Sequence, residues 1–162
     1  APERTAQLIV QVAGRAGRAD RPGRVILQTR HPRHPLLQSL LRDGYPGFAE
    51  VALAERSAAR LPPFGYLALV RAEGPTPEIP KDFLRRARVL AEDFRTDRVQ
   101  LLGPAPAPME RRAGRYRAQL LVECEERPAL QRFLDPWILA LRALPRPGGL
   151  RWSVDVDPLD MM

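Results

Sequence analysis

The sequence predicts a mixed α/β chain in two parts. A short α/β segment over residues 1–60 is followed by an α+β domain of the split βαβ type over residues 61–162. Three observations predict this. An amphipathic helical stretch precedes an apolar, β-branched run, as at the end of a parallel sheet. A Leu-Pro-Pro-Phe-Gly sequence at residues 61–65 interrupts the pattern, because two prolines cannot continue a helix. Four strand-like and two helix-like segments then follow in the order strand, helix, strand, strand, helix, strand.

The first part is expected to hold three helices and one strand. Residues 2–18 form the first helix, with apolar residues at helical spacing that should face a core: Leu8, Ile9, Val12, Ala13 and Ala16. A turn leads to a strand over residues 24–29. Two helices follow over about residues 34–42 and 46–60, separated by a break at Asp43-Gly44.

The second part is expected to follow the order strand, helix, strand, strand, helix, strand, which is the split βαβ arrangement. The predicted strands are residues 66–73, 98–103, 115–124 and 150–157. The predicted helices are residues 79–94 and 127–143. In the last strand, three apolar residues alternate with polar ones: Trp152, Val154 and Val156. Cys124 lies in an apolar run, so we expect it to be buried as a small hydrophobic residue.

Composition places the chain among globular proteins, at 44% hydrophobic and 28% charged over 162 residues. No apolar run approaches the roughly 20 residues of a membrane-spanning helix. A single cysteine excludes an internal disulfide and favours a reducing cytoplasm. The net charge of +7 suggests an anionic partner. Residues 1–34 carry seven arginines against Glu3 and Asp20, so +5 of the +7 lies there.

The most informative stretch is residues 11–18, which reads QxxGRxGR. This pattern resembles the sixth conserved motif of superfamily 2 helicases. The resemblance implies that Arg15 and Arg18 present cations to the γ-phosphate of a nucleotide bound between two lobes, since guanidinium donates bidentate hydrogen bonds and stays charged. Gln11 would orient the attacking water or bridge to the other lobe. The alternative is that this helix is an ordinary solvated face.

A second cluster of cations lies before the third strand of the second part. Its members, with one aromatic residue among them, are Arg111, Arg112, Arg115, Tyr116 and Arg117. The sequence predicts that a turn at residues 113–114 projects them from one edge, where the arginines would grip a DNA backbone and the ring would stack on a base. An ordinary exposed loop is the equally weighted alternative.

Two pairs of residues resemble metal ligands, but each pair is better explained without a metal. His31 and His34 lack nearby cysteine or carboxylate partners, so a loop between strand and helix is the better interpretation. Asp155 and Asp157 share one face of a strand, and an exposed sheet face explains them without a metal.

Further segments resemble one family, the primosomal protein N-prime (PriA) family of replication-restart helicases. They are residues 3–8 (ERTAQL), 27–29 (LQT), 34–35 (HP), 61–64 (LPPF) and 152–158 (WSVDVDP). The resemblance covers essentially the whole chain. It implies an ATP-dependent DNA helicase that unwinds 3′ to 5′ at stalled forks. It also implies that residues 1–60 end a RecA-like lobe and that residues 61–162 resemble ribosomal protein S10.

The resemblance also implies partners and cofactors. ATP and Mg²⁺ would bind only with the first lobe, because this sequence has no phosphate loop and no Asp-Glu box. The family's zinc-binding segment is likewise absent, so we expect no metal here and no ATPase activity from this chain alone. Expected partners are forked and single-stranded DNA, single-stranded-DNA-binding protein and primosome proteins, without a membrane. Arg127 and Gln131 would receive the acidic tail of single-stranded-DNA-binding protein; a solvated helix face is the alternative.

Two other functions stay open from the sequence. One is a non-enzymatic nucleic-acid or protein interaction module whose helicase-like helix is incidental. The other is a different superfamily 2 motor, which would require a different domain after residue 60. A phosphate loop and an Asp-Glu box in the preceding sequence would distinguish the helicase from the module.

Overall fold

The computed structural model describes residues 2–18 and 21–158, with only the backbone described at residues 17, 18, 21 and 22. The chain divides into two compact units: unit 1 is Ala1–Ala59 and unit 2 is Arg60–Met162. The described residues form four helices, a four-stranded antiparallel sheet and one very short β-pair. The mixed α/β class predicted from the sequence is therefore confirmed.

Unit 1 is built from two helices and a two-residue β-pair. α1 spans Pro2–Arg15 and α2 spans Pro35–Ala58. β1 (Gly17–Arg18) pairs antiparallel with β2 (Arg21–Pro22). The helices share a small apolar core, whose buried members are Ala6, Leu36, Leu40, Phe48 and Ala52.

A kink divides α2 where the sequence predicts a break. Gly44 has φ 70° and ψ −164°, outside the helical region and in the range that glycine adopts without a Cβ clash. Pro46 follows and lacks the backbone N–H that a continuous helix requires. The predicted break at Asp43-Gly44 is confirmed, although the flanking helices form one kinked element.

α1 is shorter than predicted. Its last backbone hydrogen bonds run from Ala16 N to the carbonyl oxygens of Val12 (3.1 Å) and Ala13 (3.2 Å). The chain then enters β1, because Gly17 has a low helix propensity and favours a helix C-terminus. The prediction that one helix runs to residue 18 is therefore wrong for its last turn.

The stripe of α1 that faces the core also differs from the prediction. Ala6 is buried and Ile9 is half-buried, whereas Leu8 and Val12 are 61% and 54% exposed and Ala13 is exposed as well. α1 has only α2 as a helical packing partner in unit 1, and α2 covers a single narrow stripe. The predicted five-residue core face is thus wrong for Leu8, Val12 and Ala13 in this chain.

Residues 24–29 do not form the predicted strand. Val25, Ile26 and Leu27 are all exposed, Ile26 to 82%. A strand needs a neighbour that bonds its backbone N–H and C=O groups, and no described residue of unit 1 pairs with this segment. The strand prediction is wrong here, and the parallel sheet of a RecA-like lobe is not formed by the described part of unit 1.

One ion pair ties α1 to α2. The guanidinium of Arg56 donates from Nε (3.1 Å) and Nη2 to Glu3 Oε1. Burial alone would raise the pKa of the Glu3 carboxyl. The hydrogen bond from its own backbone N–H and those from Arg56 outweigh burial, so its pKa lies below the ordinary value of 4.5. The stability from this pair is therefore present above the unfolded-state pKa and is lost as pH falls through the lower folded-state pKa.

Glu3→Gln should lower the free energy of unfolding of unit 1 by about 1 kcal/mol near neutral pH, a modest value because both side chains keep part of their surface in solvent. The difference from the wild type should vanish on acidification, once Glu3 is protonated in the folded protein. Thermal unfolding followed by circular dichroism across an acid pH series measures it. Glu50→Gln, an exposed carboxylate of α2, is the matched control. A Glu3→Gln effect that does not change with pH would contradict this account.

Unit 2 follows the element order predicted from the sequence. Its strands are β3 (Tyr66–Gly74), β4 (Val99–Arg112), β5 (Arg115–Cys124) and β6 (Arg151–Val156). Its helices are α3 (Glu78–Ala91) and α4 (Arg127–Ala143). All neighbouring strands are antiparallel, in the order β4-β5-β3-β6. The predicted strands and helices are confirmed, but β4 continues well past residue 103.

The two faces of this sheet differ in character. Both helices pack on one face, called here the helix face, where the even-numbered residues of β3 and β5 lie in the core. Cys124 belongs to this core, as predicted. The odd-numbered residues of β3 and β5 lie on the other face, called here the second face. On the second face Leu67 and Leu69 are buried at one end, and arginines lie at the other.

Candidate functional site

The helicase-like motif lies at the exposed C-terminal end of α1. Gln11 and Arg15 are one helical turn apart and both side chains are exposed. Arg15 makes no ion pair with the described residues of the chain. A Cβ added at Gly14 would meet no atom within 4 Å, so nothing described in unit 1 requires glycine there. The end of α1 therefore leaves a cation, an amide and the backbone at Gly14 exposed.

Arg18 does not share the helix with Arg15. It belongs to β1, where its partner is Arg21, and its side chain lies outside the described residues. The predicted helix over residues 2–18 would have carried both arginines, but α1 ends at Arg15, so Arg15 and Arg18 lie on different elements. Arg15 is the motif arginine whose position the structure gives.

The second predicted cluster lies on a β-hairpin and not on a loop. β4 and β5 are joined by Ala113 (φ 49°) and Gly114 (φ 76°), which confirms the predicted turn. Positive φ at both central residues is the backbone of a type I′ turn, whose twist matches the strands it joins. Arg111 pairs with Tyr116 and Arg112 pairs with Arg115 across the hairpin. The arginines therefore lie on paired strands, and the pairing fixes the face of the sheet from which each side chain leaves.

The hairpin side chains divide between the two faces of the sheet. Tyr116 has the even register of the helix face, and the Arg111 guanidinium carbon lies 5.2 Å from the centre of its ring. Arg112, Arg115 and Arg117 have the register of the second face. The cluster thus lies at one end of the sheet but does not share a face, because successive residues of a strand alternate.

Arg115 is engaged within the fold. Its Nε lies 2.9 Å from Glu73 Oε1, and its Nη2 donates to the carbonyl oxygens of Glu73 (3.3 Å) and Gly149. These contacts tie the start of β5 to the end of β3 and to the loop before β6. Two of the three guanidinium nitrogens of Arg115, Nε and Nη2, therefore already have acceptors within the fold.

A residue that the sequence reasoning did not select, Arg151, joins the cluster. Glu73 of β3 lies opposite Arg117 of β5 and opposite Arg151 of β6, so one row across the sheet is Arg117–Glu73–Arg151. Arg151 Nη1 lies 3.7 Å from Glu73 Oε1. The only sequence signal for Arg151 is that it lies near the start of the last predicted strand, residues 150–157. The strand register that brings it beside Glu73 is a property of the tertiary structure.

Arg127 and Gln131 lie one turn apart at the start of α4, and both are exposed. Arg127 already has a partner, since its Nη2 lies 3.8 Å from Asp157 Oδ2. Asp157 in turn donates its backbone N–H to Leu67 O at 2.8 Å, just past the end of β6. The distance is long and the Arg127 side chain is 64% exposed, so this ion pair contributes little to stability.

The acidic residues after β5 are neutralised locally. Arg60 pairs with Glu125 and Arg98 pairs with Glu126, around a cleft of about 400 Å³. These carboxylates lie at the opposite end of β5 from Arg115. The charge of the hairpin end is therefore not offset by them.

The described residues hold no group of three or more histidine, cysteine or acidic side chains placed to bind a metal ion. His31 and His34 both precede α2, with His34 at its N-cap, and the backbone N–H of His31 donates to Thr29 Oγ1 at 3.0 Å. Within the described ranges, no helix has the length and apolar character needed to cross a membrane.

Comparison with known proteins decides the family. A family model described as the primosomal protein N C-terminal domain matches residues 57–159. The chain belongs to this family. The resemblance inferred from the sequence motifs is therefore confirmed.

Relatives of the primosomal protein N family match nearly the whole chain. The replication restart protein PriA of Haemophilus influenzae is 42% identical over 99% of this chain and 22% of its own length. Those of Synechocystis and Bacillus subtilis are 38% and 31% identical, over 98% and 99% of this chain and 18% and 20% of their lengths. The chain thus spans about a fifth of the length of these relatives. A de novo designed protein, Foldit4, covers 57% of the chain with a TM-score of 0.42 and 10% identity, which is too distant to bear on fold or function.

The two kinds of match cover different parts of the candidate site. The primosomal protein N C-terminal domain model includes the hairpin, Arg127 and Arg151 but begins after α1. The similarity to the PriA proteins extends over 161 residues and therefore includes Gln11 and Arg15. Both halves of the candidate site belong to the same family of relatives.

Proposed function

We propose that this chain is the C-terminal portion of an ATP-dependent 3′ to 5′ DNA helicase that restarts stalled replication forks through primosome assembly. The observation that carries the proposal is the 42% identity to a replication restart protein over 99% of the chain, with the QxxGRxGR motif inside the matched part. Such a protein works on the chromosome, which in bacteria lies in the cytoplasm.

Unit 1 contributes the end of the second, RecA-like motor lobe. The exposed Arg15 would contact the γ-phosphate of ATP held with Mg²⁺ by the first lobe, and Gln11 would position water or bridge the lobes. Arg18 would add a second cation. Arg15 and Gln11 suit contact with a terminal phosphate. The sequence has no phosphate loop that would hold the rest of the nucleotide. The exposed Leu8, Val12 and Ile26 support this role, because a larger lobe would cover them.

Unit 2, which we propose to be S10-like, contributes DNA and partner binding. The hairpin offers the cations Arg111 and Arg112 on a rigid two-stranded ribbon, and phosphate contacts need charge more than shape. Tyr116 would act chiefly by holding Arg111, whose guanidinium already covers its ring. On α4, Arg127 and Gln131 would take the acidic tail of single-stranded-DNA-binding protein in place of Asp157.

The DNA-binding part of this proposal predicts that Arg111→Ala combined with Arg112→Ala weakens binding of the 162-residue chain to forked DNA by roughly tenfold. The slope of log affinity against log salt should fall by about 0.7 to 0.9 for each phosphate that the variant no longer neutralises. Fluorescence anisotropy across a salt titration measures both quantities. The matched control is Arg86→Ala combined with Arg132→Ala, two exposed arginines of α3 and α4. Equal weakening in the control would mean that net charge, and not the hairpin, determines binding.

A further inference from the structure

The row Arg117–Glu73–Arg151 carries more positive charge than its one carboxylate can neutralise. Arg115 and Arg151 both lie within ion-pair distance of Glu73 Oε1, at 2.9 Å and 3.7 Å. Arg117 lies opposite Glu73 and makes no ion pair with any residue that the structure describes. Three arginines against one glutamate leave a local excess of two positive charges at the hairpin end of the second face.

The excess belongs to Arg117 and Arg151. Arg115 is half-buried and its Nε and Nη2 donate to Glu73 and Gly149, whereas the Arg151 side chain is 74% exposed and its contact with Glu73 is long. β5 and β6 flank β3 on opposite sides. Neighbouring strands lie about 4.8 Å apart, so the backbones at Arg117 and Arg151 are about 10 Å apart. Both side chains are long enough to reach one extended polyanion that crosses β3.

The described part of the second face offers no aromatic ring on which a base could stack. None of the described second-face positions in β3, β5 and β6 is aromatic. Tyr116 has the register of the helix face, and Arg111 covers its ring at 5.2 Å. Recognition here would rest on charge and on guanidinium hydrogen bonds, which suit phosphate oxygens and carry no sequence information.

We propose that the phosphodiester backbone of DNA binds across the hairpin end of the second face, with Arg117 and Arg151 as its contacts and Arg112 continuing the track onto the hairpin. Arg115 and Glu73 are positioning residues: their ion pair holds β5 and the loop before β6 in place. This inference rests on the proposed DNA-binding role of unit 2, to which it adds the face and the chemical group recognised.

The test is DNA binding by the 162-residue chain with Arg117→Ala and Arg151→Ala combined. Affinity for DNA should fall by roughly tenfold. On single strands, the slope of log affinity against log salt should fall by about 0.7 for each phosphate that is no longer neutralised. The control, Arg86→Ala with Arg132→Ala, removes the same charge and should have little effect. Oligo-dT, oligo-dA and an abasic strand of equal length should bind the wild-type chain equally. Duplex DNA should depend on the same two arginines.

A second variant, at Glu73, tests the positioning role through an expected gain in DNA affinity. Glu73→Gln removes the carboxylate that competes with phosphate, so it should tighten DNA binding by severalfold while lowering the thermal midpoint, because Arg115 loses its partner. If Glu73 has only a structural role, Glu73→Gln should lower the thermal midpoint without tightening DNA binding.

Three outcomes would overturn the inference. The first is that the Arg117/Arg151 variant binds DNA as well as the control does. The second is that the abasic strand binds far more weakly than oligo-dT, which would indicate base contacts. The third is that an acidic peptide, and not DNA, depends on these arginines. If the Arg111/Arg112 variant loses binding while the Arg117/Arg151 variant keeps it, the inference fails and the proposed function stands. If neither variant weakens binding, both fail.

Discussion

Replacing Arg15 with alanine in the full-length protein should lower DNA-stimulated ATP hydrolysis by about 10³-fold or more, the range in which arginine fingers act in other phosphoryl-transfer enzymes. Arg15 lies exposed at the end of α1 and makes no ion pair within the described residues, so its cation is available to an external phosphate. Because the charge to be stabilised develops in the transition state, binding of nucleotide and DNA should weaken much less than turnover. Steady-state ATPase assays and nucleotide-binding titrations separate the two effects.

Two controls make the Arg15 result specific. Arg15→Lys keeps the charge but loses the bidentate fork, so it should recover only part of the activity. Arg30→Ala removes an exposed arginine from the same unit and should leave turnover unchanged. The 162-residue chain by itself should show no ATPase activity, with or without DNA. Full turnover in Arg15→Ala, or turnover by the isolated chain that depends on Arg15, would refute the motor role.

Trp137→Ala should destabilise unit 2 by about 3–5 kcal/mol, enough to unfold a marginally stable domain. Trp137 is completely buried in α4, its ring lies 5.0 Å from that of Phe133, and its Nε1–H donates to Ala87 O of α3 at 3.0 Å. The substitution leaves a cavity between both helices and the sheet, and it removes the hydrogen bond that joins the helices. Urea unfolding followed by circular dichroism measures the destabilisation.

Variants of the same helix calibrate the Trp137 result. Trp137→Phe keeps most of the ring but loses the donor, so its cost should be smaller than that of alanine. Leu139→Ala, at a position that is 66% exposed, should change stability by no more than about 0.5 kcal/mol. A Trp137→Ala protein that unfolds at the same urea concentration as Leu139→Ala would show that the core does not depend on this contact.

The order of elements in unit 2 was predictable because its signals are local. The alternation of Trp152, Val154 and Val156 has the period of a strand, and the apolar residues of α4 recur at helical spacing. Each element finds its partners within the same unit, so local preference and tertiary packing agree. The turn at residues 113–114 is likewise a property of a short sequence.

Local patterns were a poorer guide in unit 1, because the described partners in that unit do not match them. The apolar, β-branched run at residues 24–29 has the composition of a buried strand, but no described strand of the unit pairs with it. Leu8 and Val12 have helical spacing and remain exposed because α2 covers another stripe of α1. Periodicity predicts which residues can be buried, and only the packing partner decides which of them are.

The sequence by itself determined the family, the motif containing Arg15 and the succession of helices and strands in unit 2, because each depends on residues that are close in the chain. Only the tertiary structure decided which cations are available. Strand alternation placed Arg111 with Tyr116 on one face and Arg117 on the other, and strand register brought Glu73 between Arg117 and Arg151. Hydrogen bonding between strands sets that register across long sequence separations, so no local pattern of residues contains it.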